Sequence, residues 1–381
     1  MQVALINGRI LTEGGAVEPR AVLVESGRIA GIVAPGDVPG DADRHDLGGL
    51  LLLPGFIDTQ VNGGGGVLFG DSPDVETLRS IARAHIRHGT TGFLPTLISG
   101  DLALIERAIA AVETAIAEGV PGVLGIHIEG PFLNPRRSGI HDAANFRTLD
   151  AAALKILTSA RRGKTLVTLA PEQTTPAAIA ALTEAGVIVS AGHTDATYGQ
   201  VRDALAAGLT GFTHLFNAMS PLRAREPGAV GAALDDANSW CGIIVDGHHV
   251  DPATLRVALA CKGSARLMLA TDAMPSVGAA TKSFTLQGRV ITVKDGVCFA
   301  PDGTLAGSDL DMASAVRNAL KFMGVSLTES VAMASCNPAA FLGLEKEIGA
   351  IAVGRRANFV LVDDALAVID VWIDGRPQQI A

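Results

Sequence analysis

The hydrophobic positions of this sequence follow two different periods. Near both ends, apolar residues alternate with polar ones in short runs separated by glycine turns, as in VALINGRIL and RRANFVLVDDALAVIDVWIDG. Between the ends, short apolar runs are each followed by a stretch with helical spacing. Alternation is typical of half-buried strands, whereas spacing by three and four residues is typical of amphipathic helices. The pattern therefore predicts a strand-rich region built from the two chain ends and a central region in which strands and helices alternate.

The clearest helix of the central region is DLALIERAIAAVETAIAEG, residues 101–119. Its apolar positions are separated by three, four, three and four residues: Leu102, Ile105, Ile109, Val112 and Ile116. Asp101 is suited to cap the first turn, and Gly119 is suited to end the helix. The segment thus predicts one helix with a single apolar face.

Eight short apolar runs in the central region are candidate strands. In order they are GFIDTQV, TTGFLPTL, VLGIHIEG, TLVTLAPE, VIVSAGHT, LTGFTHLFN, CGIIVDG and RLMLATDAM. Eight strands alternating with helices indicate an α/β fold of the (β/α)8 TIM barrel type. We expect the barrel at 54–344, with a β-hairpin insertion near 284–305. Because the termini of a domain often lie close together, we expect 1–53 and 345–381 to form one small β-sandwich domain.

Composition narrows the classes of function. Among 381 residues, 30 Lys and Arg stand against 39 Asp and Glu, a formal net charge of −9 without any long basic cluster, so nucleic acid is not an expected partner. No apolar run approaches the ~20 residues that span a bilayer, and the N-terminal segment lacks the pattern of an export signal. The four cysteines have no Cys-x-x-Cys spacing. We therefore expect a cytoplasmic protein that uses neither a membrane nor its cysteines for function.

Polar residues follow four of the predicted strands at the point where each strand ends. Glu129 ends strand 3, His193 strand 5, His214 strand 6 and Asp272 strand 8. In such barrels the strand ends converge on one active-site face. Two imidazoles and a carboxylate form a familiar catalytic zinc environment with an open position for water. Each residue alone could be structural, but four in equivalent positions predict a metal site.

The first predicted strand ends differently, in FIDTQVNGGGG. Alternation places Asp58, Gln60 and Asn62 on one side of the strand, and four glycines follow. Asn and Gly also form ordinary turns, so this segment alone does not separate a functional role from a strand terminus.

These segments resemble a known family. The eight-strand pattern lies within a β-sandwich that is split between the two chain ends, and together with PGFID it resembles the amidohydrolase superfamily. A closer resemblance is to the N-acetylglucosamine-6-phosphate deacetylases, and it is carried by GFIDTQVNG, GIHIEGPFLNP, SAGHTDATY, GFTHLFNAMSP, REPG, DGHHVD, LATDAM and GTLAGSDLDM. The resemblance covers essentially the whole chain. It implies hydrolysis of the N-acetyl group of N-acetylglucosamine 6-phosphate to glucosamine 6-phosphate and acetate.

The resemblance also implies roles for individual residues. The metal ligands of the family correspond to Glu129, His193 and His214, and its general base, later acid, to Asp272. His141 is expected to polarise the acetyl carbonyl as a second catalytic residue. The implied substrate contacts are His141, Asn217, Ala218, Arg225 and His249. By family analogy we expect a homodimer in which His249 contributes to the neighbouring site, although Arg225 could instead form a surface ion pair with Glu226.

Gln60 and Asn62 replace the His-x-His that many amidohydrolases carry at this position. Neutral amides are poor zinc ligands. By similarity to the family members with Gln-x-Asn, we expect one divalent metal ion per subunit, with Gln60 positioning the attacking water. Zinc suits the ligands, but Fe²⁺ or another divalent ion fits the same set.

Three alternatives remain open from the sequence. The substrate could carry the galactosamine epimer of the sugar, or the chain could be another amidohydrolase that acts on a cyclic amide. The second is disfavoured because TLAPE places no lysine at the end of strand 4. A third possibility is a silent barrel that senses sugar phosphate, and the presence of Asp272 and of all three metal ligands argues against it.

Overall fold

Eight parallel strands form the centre of the protein in the computed structural model, which describes residues 2–380. We number them barrel strands 1 to 8: Phe56–Val61, Thr90–Ile98, Gly125–Glu129, Lys164–Leu169, Ile188–Ala191, Gly211–Phe212, Trp240–Ile243 and Leu267–Leu269. Each pairs with the next in sequence, and a parallel bridge between Val61 and Ala273 joins the segment after strand 8 to strand 1. The predicted (β/α)8 barrel is confirmed.

The helices that follow the barrel strands carry their apolar faces toward the strands. They are α1 Val75–Ile86, α2 Leu102–Ala117, α3 Ala151–Leu157, α4 Pro176–Glu184, α5 Tyr198–Ala206, α6 Gly228–Asp235, α7 Pro252–Lys262, α8 Met312–Asn318, α9 Leu327–Ala334 and α10 Cys336–Phe341. α8 continues into a π-helical turn, Ala319–Met323. Within residues 2–380, no helix is both long and apolar enough to cross a membrane.

Helix α2 matches its predicted segment closely. The Asp101 side chain accepts a hydrogen bond from the backbone N–H of Leu104 at 2.7 Å, which caps the first turn. Ile105, Ile109 and Val112 are buried against the barrel. The three- and four-residue spacing therefore identified the face that packs inward.

The two chain ends form one sheet beside the barrel. Its strands are Val3–Leu11, Val17–Glu25, Arg28–Val33, Asp43–Asp46 and Leu51–Pro54 from the N-terminal end, and Phe359–Val362, Val368–Ile373 and Arg376–Pro377 from the C-terminal end. The link between the ends is the antiparallel pairing of Phe359–Val362 with Leu51–Pro54. Apolar side chains from both ends, including Leu5, Phe359 and Trp372, share one core. The prediction that the termini build a common small β-domain agrees with this arrangement.

The insertion after barrel strand 8 is larger than the predicted hairpin. It is a four-stranded antiparallel sheet with the strands Ser283–Leu286, Arg289–Lys294, Val297–Phe299 and Leu305–Ser308. Gly288, Gly296 and Gly303 adopt positive φ in the three turns, a backbone region that glycine occupies without strain. The last strand brings Thr304 and Leu305 to the mouth of the barrel.

The glycines after barrel strand 1 form a tight hairpin of Gly63–Gly64 with Val67–Leu68. A Cβ atom on Gly63 would collide with the Val67 carbonyl oxygen, and one on Gly64 would press on the His85 ring. His85 Nε2 lies 2.8 Å from the Gly63 carbonyl oxygen, which can only accept the hydrogen bond. Burial lowers the pKa of His85 to about 4, so this histidine is a neutral structural residue that supports the strand end.

Candidate active site

A pocket of about 370 Å³ opens at the carboxyl ends of the barrel strands. Nine of the residues that line it were singled out from the sequence: Asn62, Glu129, His141, His193, His214, Asn217, Ala218, His249 and Asp272. Gln60 lies buried beneath them, hydrogen-bonded to two of their carboxylates. The polar residues at the strand ends therefore converge as predicted.

Glu129, His193 and His214 form the tightest cluster in the pocket. His214 Nε2 lies 3.0 Å from Glu129 Oε1 and 3.0 Å from His193 Nε2, and His193 Nε2 lies 3.4 Å from Glu129 Oε1. The three residues are at most 5% exposed. Two imidazole nitrogens and a carboxylate oxygen directed at one point are the donor set of a catalytic divalent metal, so these residues fit such an ion.

The charges within this cluster favour an ionised carboxylate. Burial alone would raise the pKa of Glu129, but hydrogen bonds from His193 and His214 outweigh it and hold that pKa well below its usual range. A carboxylate that stays ionised in a buried site is what a metal ligand requires.

The two ligand histidines are oriented differently. His193 Nδ1 donates to the backbone carbonyl oxygen of Arg137 at 2.8 Å, which directs Nε2 toward the cluster. The corresponding His214 Nδ1 is buried and has no acceptor among residues 2–380. The orientation of His193 is therefore fixed by the loop after strand 3, whereas His214 is held mainly through its Nε2.

A polar network holds the loop that orients His193. The Arg137 guanidinium donates two hydrogen bonds to Asp195 Oδ1, at 2.8 and 2.9 Å. Glu172 accepts from Asn134 Nδ2 at 2.8 Å, from Thr194 Oγ1 at 2.5 Å and from the Asp195 backbone N–H at 2.7 Å. Sequence reasoning did not assign these residues. Glu172 could have been found by the pattern that indicated the proposed metal ligands, because it is a charged residue at the carboxyl end of a predicted barrel strand, TLVTLAPE.

Gln60 and Asn62 connect the cluster of Glu129, His193 and His214 to Asp272. Gln60 Nε2 donates to Glu129 Oε1 at 3.0 Å and to Asp272 Oδ1 at 3.2 Å, and Asn62 Nδ2 donates to Asp272 Oδ1 at 2.6 Å. Within the described part of the chain, Asp272 Oδ2 receives no such bond and remains available. The amides at the end of strand 1 thus orient a carboxylate, which is a more specific role than that of a strand terminus.

Asp272 lies at the pocket wall with a strongly shifted acidity. Burial and then the negative charge of Glu129 raise the pKa of Asp272 to about 6. A carboxyl group with such a pKa can both accept and return a proton near neutral pH. Its backbone has a positive φ of 52°, and the preceding Thr271 is tied to strand 1 by a hydrogen bond of 2.5 Å from its Oγ1 to Asp58 Oδ2.

His141 reaches the pocket from the loop after strand 3. Its Nδ1 lies 2.9 Å from Ser99 Oγ, and its Nε2 lies 3.7 Å from Glu129 Oε2. Burial, followed by the charge of His193, lowers the pKa of His141 to about 3. The ring is therefore a neutral hydrogen-bonding group beside the metal cluster.

The residues expected at the sugar phosphate do not all lie together. Asn217 and Ala218 line the pocket, and so does His249, whose Nδ1 lies 2.6 Å from Asp246 Oδ2. His249 thus lines the pocket of its own chain, and its contribution to a neighbouring site stays a prediction. Arg225 lies exposed on the loop before α6, outside the set that lines the pocket.

The sequence model of the amidohydrolase family matches residues 51–377. The chain belongs to the amidohydrolase family. This agrees with the resemblance inferred from the strand-end motifs, and the match includes all of the barrel and the C-terminal strands of the small sheet.

In sequence and in structure, this amidohydrolase is similar to sugar-phosphate deacetylases. It is 43% identical over 372 residues to the N-acetylgalactosamine-6-phosphate deacetylase of Shewanella sp. (strain ANA-3), covering 97% of this chain and 94% of the relative. The crystal structure of N-acetylglucosamine-6-phosphate deacetylase from Pasteurella multocida superposes with a TM-score of 0.95 at 34% identity, covering 99% of this chain and 100% of that chain.

A third comparison concerns a liganded structure. A mutant of N-acetyl-D-glucosamine-6-phosphate deacetylase from Mycobacterium smegmatis, in complex with N-acetyl-D-glucosamine-6-phosphate, has a TM-score of 0.89 at 35% identity, covering 99% of each chain. The similarity extends over the entire fold and therefore includes the barrel mouth where the pocket lies.

Proposed function

We propose that this amidohydrolase hydrolyses the N-acetyl group of N-acetylglucosamine 6-phosphate to glucosamine 6-phosphate and acetate. The observation that carries the proposal is the pocket itself, in which three converging metal ligands lie beside Asp272 with its free Oδ2. The similarity to N-acetylhexosamine-6-phosphate deacetylases over nearly the full chain supports the substrate class.

The proposed metal is one divalent cation per chain, held by Glu129, His193 and His214, with zinc favoured by the two imidazoles and one carboxylate and Fe²⁺ as the alternative. Such an ion lowers the pKa of water to ~7 and polarises an amide carbonyl. Gln60 and Asn62 are already engaged as hydrogen-bond donors to carboxylates, which supports a single ion rather than two.

The residues around the ion perform the proton transfers. Asp272 accepts the proton of the attacking water at Oδ2, while the amides of Gln60 and Asn62 hold Oδ1 in place. When the C–N bond breaks, the same oxygen returns the proton to the departing nitrogen, so that the amine leaves uncharged. His141 Nε2–H donates to the carbonyl oxygen as negative charge develops, an interaction worth ~3 kcal/mol in comparable sites.

The 6-phosphate is the proposed anchor of the substrate. His249, Asn217 and the backbone at Ala218 form one side of the pocket and would surround it. Arg225 offers a planar fork of donors, but it is exposed and does not line the pocket of its own chain. We therefore propose a homodimer in which Arg225 reaches the phosphate bound by a second copy.

The galactosamine epimer is the second candidate substrate. The relative at 43% identity is an N-acetylgalactosamine-6-phosphate deacetylase, whereas the solved glucosamine enzymes are 34% and 35% identical. The two sugars differ only in the orientation of one hydroxyl group, and the reacting amide and the phosphate are the same. The proposed mechanism therefore applies to either substrate.

A cytoplasmic location is proposed as well. The four cysteines, all within the described residues, are free thiols, which suits a reducing compartment. A phosphorylated sugar is an intracellular type of substrate, and the proposal can be tested by fractionating cells.

Acetate release tests the proposed reaction. Metal-loaded protein is assayed with the 6-phosphates of N-acetylglucosamine and N-acetylgalactosamine and with unphosphorylated N-acetylglucosamine as the control. We expect rapid acetate release from at least one 6-phosphate and far slower release from the control. The ratio of kcat/KM for the two epimers assigns the substrate, and the absence of acetate from both would overturn the deacetylase proposal.

A further inference from the structure

We propose that Asp246 is a positioning residue that holds His249 toward the pocket and thereby sets the preference for a 6-phosphate. This inference rests on the proposed function, because it concerns the same pocket. Asp246 lies just after barrel strand 7, in a loop for which neither the sequence motifs nor the comparisons assign it a role.

Asp246 is engaged on both of its carboxylate oxygens. Oδ1 accepts from the backbone N–H groups of His248 and His249, both at 2.8 Å, and Oδ2 lies 2.6 Å from His249 Nδ1. The side chains of Asp246 and His249 are each 5% exposed. Burial alone would raise the pKa of Asp246, but the hydrogen bond and the charge of His249 outweigh it and lower that pKa. The pair is therefore a buried carboxylate–imidazole contact with a fixed direction.

The loop that carries this pair is fastened to the π-helical turn after α8. Asn318 Nδ2 donates to the Val245 carbonyl oxygen at 2.8 Å, on the residue before Asp246. Gly247 has a positive φ of 80° and lies against the Phe322 ring, so that a Cβ there would approach the ring to 3.2 Å. Arg256 Nη1 in turn donates to the Phe322 carbonyl oxygen at 3.0 Å. The end of α8 and the π-helical turn thus hold the loop through a hydrogen bond and a close contact, and π-helical turns often occur at functional sites.

The orientation of the histidine ring follows from these contacts. A carboxylate can only accept, so His249 Nδ1 carries the proton that lies between them. Nε2, on the other side of the ring, has no hydrogen-bond partner in the described part of the chain, and His249 lines the pocket. An anion that binds there meets the Nε2 side of a ring whose Nδ1 is held by Asp246. The pair thus fixes the direction in which Nε2 can form a hydrogen bond with a phosphate oxygen.

The test compares Asp246→Asn with the wild type in the full-length, metal-loaded protein. The introduced amide still offers an oxygen to the two backbone N–H groups, so the loop is kept, but the charged acceptor of Nδ1 is lost. Because a hydrogen bond to a charged group contributes more than a neutral one, we expect KM for the phosphorylated substrate to rise about tenfold or more. kcat, and kcat/KM for the unphosphorylated sugar, should stay within about twofold of wild type.

Two further variants separate positioning from loop stability. His248→Ala changes an exposed neighbour in the same loop and should leave both substrates unaffected. In a His249→Ala background, Asp246→Asn should add little to KM, because the two residues act as one unit. Equal losses for both substrates, an unchanged KM, or full additivity of the two substitutions would overturn the proposal.

Titration calorimetry with inorganic phosphate tests the role of Asp246 without relying on the deacetylation reaction. If the wild type releases no acetate, the proposed function fails, but phosphate affinity still reports on the His249 site. We expect Asp246→Asn to weaken phosphate binding by about tenfold. Equal affinity in the wild type and the variant would contradict the role of Asp246.

Discussion

The two sides of the active-site pocket differ in how completely one chain builds them. On the metal side, Glu129, His193 and His214 are at most 5% exposed, and each is hydrogen-bonded to residues from other strands or loops. On the phosphate side, Asn217 is partly exposed and Arg225 is exposed at the surface. The chemistry is thus preorganised in the barrel, whereas anchoring of the substrate depends on loops and, as we propose, on a second copy.

This difference has a physical origin. The metal side consists of strand ends, whose positions are fixed by the hydrogen-bonded ladder of the barrel. Loops have fewer such constraints, and a single residue in a loop can face the pocket or the solvent. Variants of the metal side should therefore affect turnover, and variants of the phosphate side should affect substrate affinity.

The largest effect is expected from His193→Ala. The substitution removes one of the three proposed metal ligands and the contact of that ring with the Arg137 carbonyl. Because a metal contributes several kcal/mol to such reactions, turnover should fall by more than ~10³-fold. Metal content, measured by mass spectrometry after gel filtration, should fall as well. His248→Ala is the matched control, and full metal occupancy in the His193→Ala protein would contradict the assigned ligand set.

A smaller but still large loss is expected from Asp272→Asn. The amide fits the same space and can keep contacts with Gln60 and Asn62, but it cannot accept a proton. kcat should fall by ~10²–10⁴-fold, the usual contribution of a general acid–base, while the metal stays bound. Near-normal turnover would remove Asp272 from the proton transfers and leave the metal site intact.

On the phosphate side, Arg225→Gln should raise KM for the phosphorylated substrate by about tenfold, because it removes a charge-assisted hydrogen bond. kcat should change little, since the metal side is untouched. The exposed neighbour Arg223 provides the control Arg223→Gln. If Arg225 serves a second copy, the one metal-competent site in a mixed dimer of Arg225→Gln and a metal-ligand variant should show the KM of the wild type. A KM raised as far as in the Arg225→Gln homodimer would argue against exchange of this residue.

The smallest expected effect concerns Asp58 and is an effect on stability. Asp58 Oδ2 accepts a hydrogen bond from Thr271, the residue before Asp272. Burial raises the pKa of Asp58 from 3.8 to about 7. The folded protein therefore binds this proton more tightly than the unfolded chain does. The resulting stabilisation is complete below pH 3.8 and is lost as pH rises through about 7. The free energy of unfolding of the wild type should thus decrease between about pH 5 and about pH 8, by on the order of 2 kcal/mol.

Asp58→Asn provides the comparison for this pH dependence. The amide at this position does not titrate, so the stability of the variant should decline less over the same pH range. Chemical denaturation at several pH values measures both curves. Parallel curves would show that Asp58 does not carry the effect.

The metal side could be predicted from the sequence because the strand and helix pattern repeats along the chain. Each repeat shows where a barrel strand ends, and a His, Glu or Asp at that point lies at the mouth of the barrel. Glu129, His193, His214 and Asp272 all follow this rule, and the structure brings them together. Glu172 follows it too, but it was passed over because no chemistry was assigned to it.

The phosphate side required information that a single sequence does not hold. The direction of His249 depends on Asp246 and on the π-helical turn at Ala319–Met323, and no local pattern predicts that contact. The insertion after strand 8 was expected as a hairpin within FTLQGRVITVKDGVCFAPDG, and the structure adds the strand Leu305–Ser308, which pairs with Val297–Phe299. Loop geometry is set by distant packing, so these features became evident only in three dimensions.

The most direct test of the account is a metal titration of the metal-free protein. Zinc is added in increments, and acetate release from N-acetylglucosamine 6-phosphate or its galactosamine epimer, whichever is turned over faster, is measured at each step. Activity should rise linearly and stop at one equivalent per chain, because Glu129, His193 and His214 are proposed as a single ligand set. Activity that continues to rise to two equivalents, or full activity without added metal, would contradict it.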